Sequence, residues 1–505
     1  MLSRRRFVAG GVASAGLAGV GLAGVLAGCG GGPAGGPSLD VPGIGDITLK
    51  SSLAEDIANG RAWHAGIIRR KGGEYRDARL HAYVDGIGRR IAAQTEHPDL
   101  PYSFTLIDSS EINAFATLGG FIYITRGLIA AANTEAELAA VIAHEAGHIN
   151  ARHVAKSKVA RGRLGLDRYK VASVGQIRAP AARPSVLAFQ RYEREAEREA
   201  DMLGFRYMTK AGYDRQGMIS LVAMFREYGA LELAMGGMDA SQQDAFSAIW
   251  DDHPRSIERV VAAARNPEFV RQANPETGRE AYLNAVVGLR FGDDPSRGVV
   301  IGDTFMHAGH GFAFTIPEGF VVRGGSVDGV RGLHPLGGDI EFSMRPIKYG
   351  VPMDDFIRTD LSEGGRVDKF AAITAGGFDG TTGVLETGSD ADTREVRVVA
   401  FKATPDLVLS FQLSSPMDMV ADFRDRLMAV PKSLRRLTPA EKARIKPYQL
   451  RVARVRSGDT VAKLSAVGPY GRFNEGWFRL INNLEAGESL QVGSDVKVVT
   501  VPGVA

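Results

Sequence analysis

The chain has 505 residues, 44% hydrophobic and 24% charged, the make-up of a globular protein too long for one small domain. Its formal charge is +3, and Arg4, Arg5 and Arg6 are the only charged residues before Cys29, so the remainder sums to zero and lacks the basic footprint of a nucleic-acid binder. Cys29 is the only cysteine, which excludes an internal disulfide framework.

Residues 1–28 read as a signal segment, a basic start followed by a Gly/Ala/Val/Leu run. The run ends Leu26-Ala27-Gly28-Cys29, which resembles the bacterial lipobox. That resemblance implies cleavage before Cys29 and a lipid on its thiol. Ser3-Arg4-Arg5-Arg6-Phe7-Val8 also resembles the twin-arginine export motif. Residues 29–45 are rich in Gly and Pro and read as a flexible tether. No later stretch is long and apolar enough to span a bilayer, so the expected attachment is an anchor at Cys29. Gly30 stands where many inner-membrane lipoproteins carry Asp, which favours the periplasmic face of an outer membrane.

The pattern over 53–93 is helical, with Tyr83, Ile87 and Ile91 on one face. Alternation over 102–107 reads as a strand, and a second strand at 121–124 follows the turn at Gly119-Gly120. Helices are expected at 127–131, 134–156, 186–211, 216–235 and 254–265. Residues 157–183 are polar with interspersed Gly, Pro and Arg and read as a mobile loop. Asp293-Asp294-Pro295 marks a boundary, and Pro439 to Pro447 another.

The helix at 134–156 carries His144-Glu145-Ala146-Gly147-His148. Thr134 with Glu137 forms a capping-box start. Two histidines four apart leave the same side of a helix, as two nitrogen ligands of one Zn²⁺ must. Glu145 can reach a water at the open position and serve as general base. Gly147 inside a helix costs roughly 1 kcal/mol against alanine, so a close approach by another element is expected there.

A catalytic zinc site needs a third protein ligand. The position six residues after His148 is Val154, which excludes a third histidine at metzincin spacing. The later segment Glu193-Arg194-Glu195-Ala196-Glu197-Arg198-Glu199-Ala200-Asp201 offers carboxylates. Glu197 and Asp201 share a face, Glu197 as ligand and Asp201 as acceptor from a ligating histidine. Spacing alone does not choose between Glu197 and Glu193. Glu195 and Glu199 read as part of a solvated, Arg-laced face, and His153 as structural.

The segments Asn113-Ala114-Phe115-Ala116, Gly119-Gly120-Phe121-Ile122-Tyr123-Ile124-Thr125-Arg126-Gly127-Leu128, His144-Glu145-Ala146-Gly147-His148 and Arg194-x-x-Glu197-x-x-Ala200-Asp201 together resemble the HtpX-like and BepA-like gluzincins, metallopeptidase family forty-eight. The likeness covers about residues 50–265. It implies one Zn²⁺ per chain on His144, His148 and Glu197, with Asp201 behind. His253-Pro254 matches a pair that follows the third-ligand helix in that family, and His253 is expected to cap the metal at rest or to stabilise the oxyanion. Zincin folds hold an extended peptide on an edge strand, and the strand at Gly120, Phe121, Ile122 and Tyr123 is the candidate.

The expected fold class is α+β. A mainly helical zincin-type core with a small sheet spans 46–270. An α+β domain at 299–437 resembles PsbP/Mog-like domains, and a small module at 447–501 resembles LysM, which implies contact with peptidoglycan. The expected function is a zinc endopeptidase of the cell envelope acting on misfolded or misassembled envelope proteins. The alternative is an assembly chaperone or scaffold whose zinc site is largely closed.

Overall fold

The computed structural model describes residues 44, 46–166, 184–238, 274–326, 329–362, 365–385 and 394–503. Cys29 and His253 lie outside them, as do the tether, the expected helix at 254–265 and most of the expected loop at 157–183. The architecture is α+β, with helices around a three-stranded sheet, a larger antiparallel region and a small C-terminal unit.

The helical run expected over 53–93 is two helices, α1 (Leu53–Arg70) and α2 (Ala78–Ala92). Gly72 and Gly73 break it with φ of 109° and 80°, values an L side chain rarely adopts. Ser52 and Glu55 close a capping box on α1, and Asp77 caps α2. Strands β1 (Ser103–Ile107), β2 (Ala114–Ala116) and β3 (Phe121–Thr125) form a sheet in the order β1-β3-β2, with β1 parallel and β2 antiparallel to β3.

That order corrects one expectation. β3 is the central strand, so its backbone pairs on both sides and cannot take an added peptide at Phe121, Ile122 and Tyr123, and Gly120 lies in the turn before it. All five residues of β3 are buried. The physical sign was an uninterrupted apolar run, which suits a strand covered on both faces.

After the short helix α3 (Arg126–Ala131), α4 (Glu135–Asn150) carries the His-Glu-x-x-His residues. Every residue from Glu135 to Ile149 is buried, so α4 has no solvated side. The Thr134 side chain accepts from Glu137 N at 3.1 Å, as a capping box requires. The Glu137 carboxylate, however, accepts from Asn133 N at 2.7 Å, one residue before the N-cap. Two tyrosine hydroxyls, from Tyr83 and Tyr213, donate to the buried Glu135 carboxylate at 2.7 and 2.8 Å.

The helix expected through 156 ends at Asn150, and α5 (His153–Arg163) starts in a new direction where part of a loop was expected. Arg152 makes the corner with φ 54°, a left-handed conformation that costs a non-glycine residue roughly 1–2 kcal/mol. Its guanidinium is held by Asp56 at 2.8 Å and by the carbonyl and hydroxyl of Ser51. Two long helices follow, α6 (Pro184–Lys210) and α7 (Gln216–Met235).

α4 and α6 cross at close range. A Cβ on Gly147 would sit 2.8 Å from the carbonyl oxygen of Ala200, and one on Gly204 3.1 Å from His144 N. The close approach expected at Gly147 is therefore present.

Residues 299–437 contain a seven-stranded antiparallel sheet and a four-stranded sheet around a phenylalanine-rich core, with the helix Val420–Lys432 packed on it. The unit after 447 runs strand, helix, helix, strand, with Tyr448–Arg454 antiparallel to Asp495–Thr500. Its first strand also pairs with Arg290–Phe291. Leu450, Trp477, Leu480, Ile481 and Val499 belong to the same buried cluster as Leu138, Ile142 and Tyr207 of the helical region.

Candidate metal centre

α4 and α6 bring two imidazoles and one carboxylate to one point, with a second carboxylate behind. The Nε2 atoms of His144 and His148 lie 3.0 Å apart. Glu197, from α6, brings Oε1 to 3.3 Å from His148 Nε2 and Oε2 to 3.6 Å from His144 Nε2. Donors arranged tetrahedrally at roughly 2.0–2.1 Å from one Zn²⁺ stand about 3.3 Å from each other. The three observed separations bracket that edge. All three side chains are buried, and their ligand atoms lie within 4.8 Å of one another.

The proton positions also fit a cation. His144 Nδ1 is 3.0 Å from Asp201 Oδ1. An ionised carboxylate only accepts, so Nδ1 carries the hydrogen and Nε2 keeps its lone pair. Two imidazole lone pairs and a carboxylate directed at one buried point repel each other unless a cation joins them. Glu145, the next residue on α4, is completely buried beside this point.

The sequence readings are thus placed unevenly. His144, His148, Glu197 and Asp201 converge. Phe121 to Tyr123 sit in the central strand and Gly120 in the turn just before it; the Tyr123 hydroxyl is bonded to His64 Nδ1 at 2.9 Å and its ring stacks on Phe115. One assignment is corrected outright. Glu199, read as solvated, is mostly buried and bonds His153 Nε2 at 3.1 Å, while His153 Nδ1 lies 2.9 Å from His148 Nδ1. Burial disfavours a charge on His153 and pushes its pKa down. Burial acts to raise Glu199, but the hydrogen bond from His153 and the charge interactions with His153 and Lys156 together outweigh it, and the carboxyl is held low. No local signal announced this pair, because Glu199 is two residues from Glu197 and the turn at Arg152 is invisible in helical periodicity.

A narrow crevice, with room for about one water molecule, lies beside His148, lined by Thr117, Leu118, Gly119, Ile149, Arg152 and Val154 among others. It adjoins the end of β2, the sheet edge that β3 leaves free. Thr125 N donates to Asn113 O and Thr117 N to Phe121 O, so alternation turns the amide groups of Ala114 and Ala116 away from β3.

These features can be set against known proteins. Residues 78–267 match the model of Peptidase family M48. The M48 segment contains all of α4 and α6, hence every residue of the centre. A Vibrio cholerae protein of beta-barrel assembly-enhancing protease type is 29% identical over 194 residues, 36% of this chain and 40% of that one. The beta-barrel assembly-enhancing protease of Escherichia coli K12 is 30% identical over 155 residues, 28% of this chain and 32% of that one. The chain thus spans about a third to two-fifths of these M48 relatives. The solution structure of cyanobacterial PsbP from Synechocystis covers 30% of this chain and 93% of its own, at 16% identity and a TM-score of 0.21, a score that supports no inference. The M48 match and the metalloprotease relatives support a metalloendopeptidase.

Proposed function

We propose that this protein is a zinc-dependent endopeptidase of the bacterial cell envelope, with Zn²⁺ held by His144, His148 and Glu197. The observation that carries the reading is the convergence of those three side chains, with Asp201 fixing the proton of His144. When bound, the ion supplies Lewis acidity toward a scissile carbonyl and toward the attacking water. Glu145 then accepts the proton that the water loses and returns it to the leaving amine nitrogen.

The substrate is an extended peptide added antiparallel to β2, paired with the outward amides of Ala114 and Ala116. Backbone pairing selects extended, unfolded chain rather than a particular sequence. The relatives named for β-barrel assembly point to misassembled envelope proteins as the source of such chain.

Attachment through a lipidated Cys29 fits this setting, since no helix among the described residues is long and apolar enough to cross a membrane. Fractionation of Cys29→Ala tests that part. Contact with peptidoglycan through the C-terminal unit has weaker support. Its Tyr470 and Trp477 rings stack on each other at 4.3 Å and pack against Phe291, so they are used internally.

The burial of the ligands favours a site that is covered at rest, which joins this reading to the alternative of a largely closed centre. Casein cleavage by the purified chain decides between them. Cleavage should occur, stop with a zinc chelator, and vanish in Glu145→Gln while zinc content stays near one per chain. Proteolysis that survives in a zinc-loaded Glu145→Gln would falsify the mechanism. Wild-type protein that holds zinc but never cleaves, even unfolded substrates, favours the scaffold.

A further inference from the structure

We propose that His153 and Glu199 are positioning residues that set the tautomer and orientation of His148 for metal binding. This inference rests on the assignment of His144, His148 and Glu197 as the metal site.

The two histidines of α4 are supported differently. Asp201 contacts His144 directly, Nδ1 to Oδ1 at 3.0 Å. At His148 the described contact is with a second histidine: its Nδ1 lies 2.9 Å from Nδ1 of His153. The far nitrogen of His153, Nε2, lies 3.1 Å from Glu199 Oε2. His153 is 4% exposed, and the Glu199 side chain is 13% exposed.

Proton placement follows from the outer end. The Glu199 carboxylate can only accept, so His153 Nε2 carries a hydrogen. In the tautomer with its one hydrogen on Nε2, the His153 ring presents a bare lone pair at Nδ1 to His148. Between two Nδ1 atoms at hydrogen-bond distance, one must donate, and His148 is the one left to do so. With its hydrogen on Nδ1, His148 turns an unprotonated Nε2 to the point it shares with His144 Nε2 and Glu197. The opposite tautomer would place a hydrogen there and block coordination. The carboxylate reads through His153 to His148 much as Asp201 reads directly to His144.

The backbone is shaped for this contact. A straight continuation of α4 would carry residue 153 past His148. The left-handed corner at Arg152, held by Asp56 and Ser51, starts α5 so that His153 faces back. The rings of His148 and His153 meet edge-on, 4.9 Å apart at 72°.

The test measures Zn²⁺ affinity of the full chain by competition with a chromophoric chelator, and thermal stability of the metal-free protein. Glu199→Leu and His153→Phe should each weaken Zn²⁺ binding by about 10–100-fold, the usual loss for such outer partners. Glu199→Gln should stay near wild type, because its amide oxygen still accepts from His153 Nε2. Metal-free stability of Glu199→Leu and Glu199→Gln should agree closely. Unchanged affinity in Glu199→Leu overturns the proposal, as does a loss in Glu199→Gln equal to that in Glu199→Leu. If His153→Phe does not fold, the Glu199 pair still decides. Failure of the metal site itself looks different, since Glu197→Ala would then bind Zn²⁺ as well as wild type.

Discussion

Glu193 and Glu197 stand one turn apart on α6, so the helix alone offers both to the same side. What separates them is where α6 crosses α4. Glu197 reaches both imidazoles within 3.6 Å and is 5% exposed, at the level where the backbones nearly touch. Glu197→Ala should therefore yield protein with little bound zinc, while Glu193→Ala keeps about one ion per chain. Metal analysis of the purified variants checks this, and equal loss in both would reassign the ligand. The residue-level reading of the sequence was sound where the physics is local. Two histidines four apart share a face whatever surrounds them. The choice between two glutamates is a matter of register between helices far apart in sequence, and local spacing holds no information about it. Glu199 failed for the same reason, since its partner was brought round by a single left-handed residue, Arg152.

At the scale of elements, helices were the legible part and strand order was not. Apolar periodicity and caps placed α6, α7 and the start of α4 nearly to the residue, while the end of α4 falls six residues short of the expected 156. Gly147 announced a crossing because a glycine within a helix interior has a cost that something must offset. Sheet order depends on distant pairing, and β3 was taken for an edge although its unbroken apolar run suits a centre. A contact between elements carries a prediction of its own. Lys497, in the last strand, is completely buried, and its ammonium points at the carbonyls of Ala130, Ala131 and Ala132 at the end of α3. The nitrogen meets three carbonyls at the negative end of a helix, while burial pushes its pKa down to about 7. Lys497→Met keeps the aliphatic stem and removes the donors. Stability should fall by roughly 1–3 kcal/mol, the cost of leaving a buried acceptor unsatisfied. A denaturant midpoint equal to wild type would show that the cap contributes nothing.

Across the whole molecule the cores divide unevenly. One buried cluster joins α2, α4 and α7 to the C-terminal strands and the helix Asn474–Asn482, while Phe305, Phe312, Phe314, Phe342 and Phe411 centre a separate one. Calorimetry should therefore show two transitions, the helices around the candidate metal centre melting together with the C-terminal unit and the region 299–437 melting on its own. Each transition should answer to a different reagent. A ligand that binds only the folded state stabilises it by mass action, so a chelator should lower the first transition alone. Acid should act on the second through His307. Burial, reinforced by the neighbouring His310, pushes the His307 pKa down to about 4, against an ordinary value of 6.5. Between those values the unfolded chain binds a proton that the folded one refuses. Stability from this group is thus complete above about 6.5 and lost as pH falls toward about 4. The upper part of that window lies above the range in which ordinary carboxylates protonate, so pH 7 is compared with pH 5. The second transition should drop between those pH values in wild type and move much less in His307→Phe, whose ring can keep the stacking on Phe312. A second transition that falls equally in both proteins would remove His307 as the cause, and a single transition would show that the two cores unfold as one.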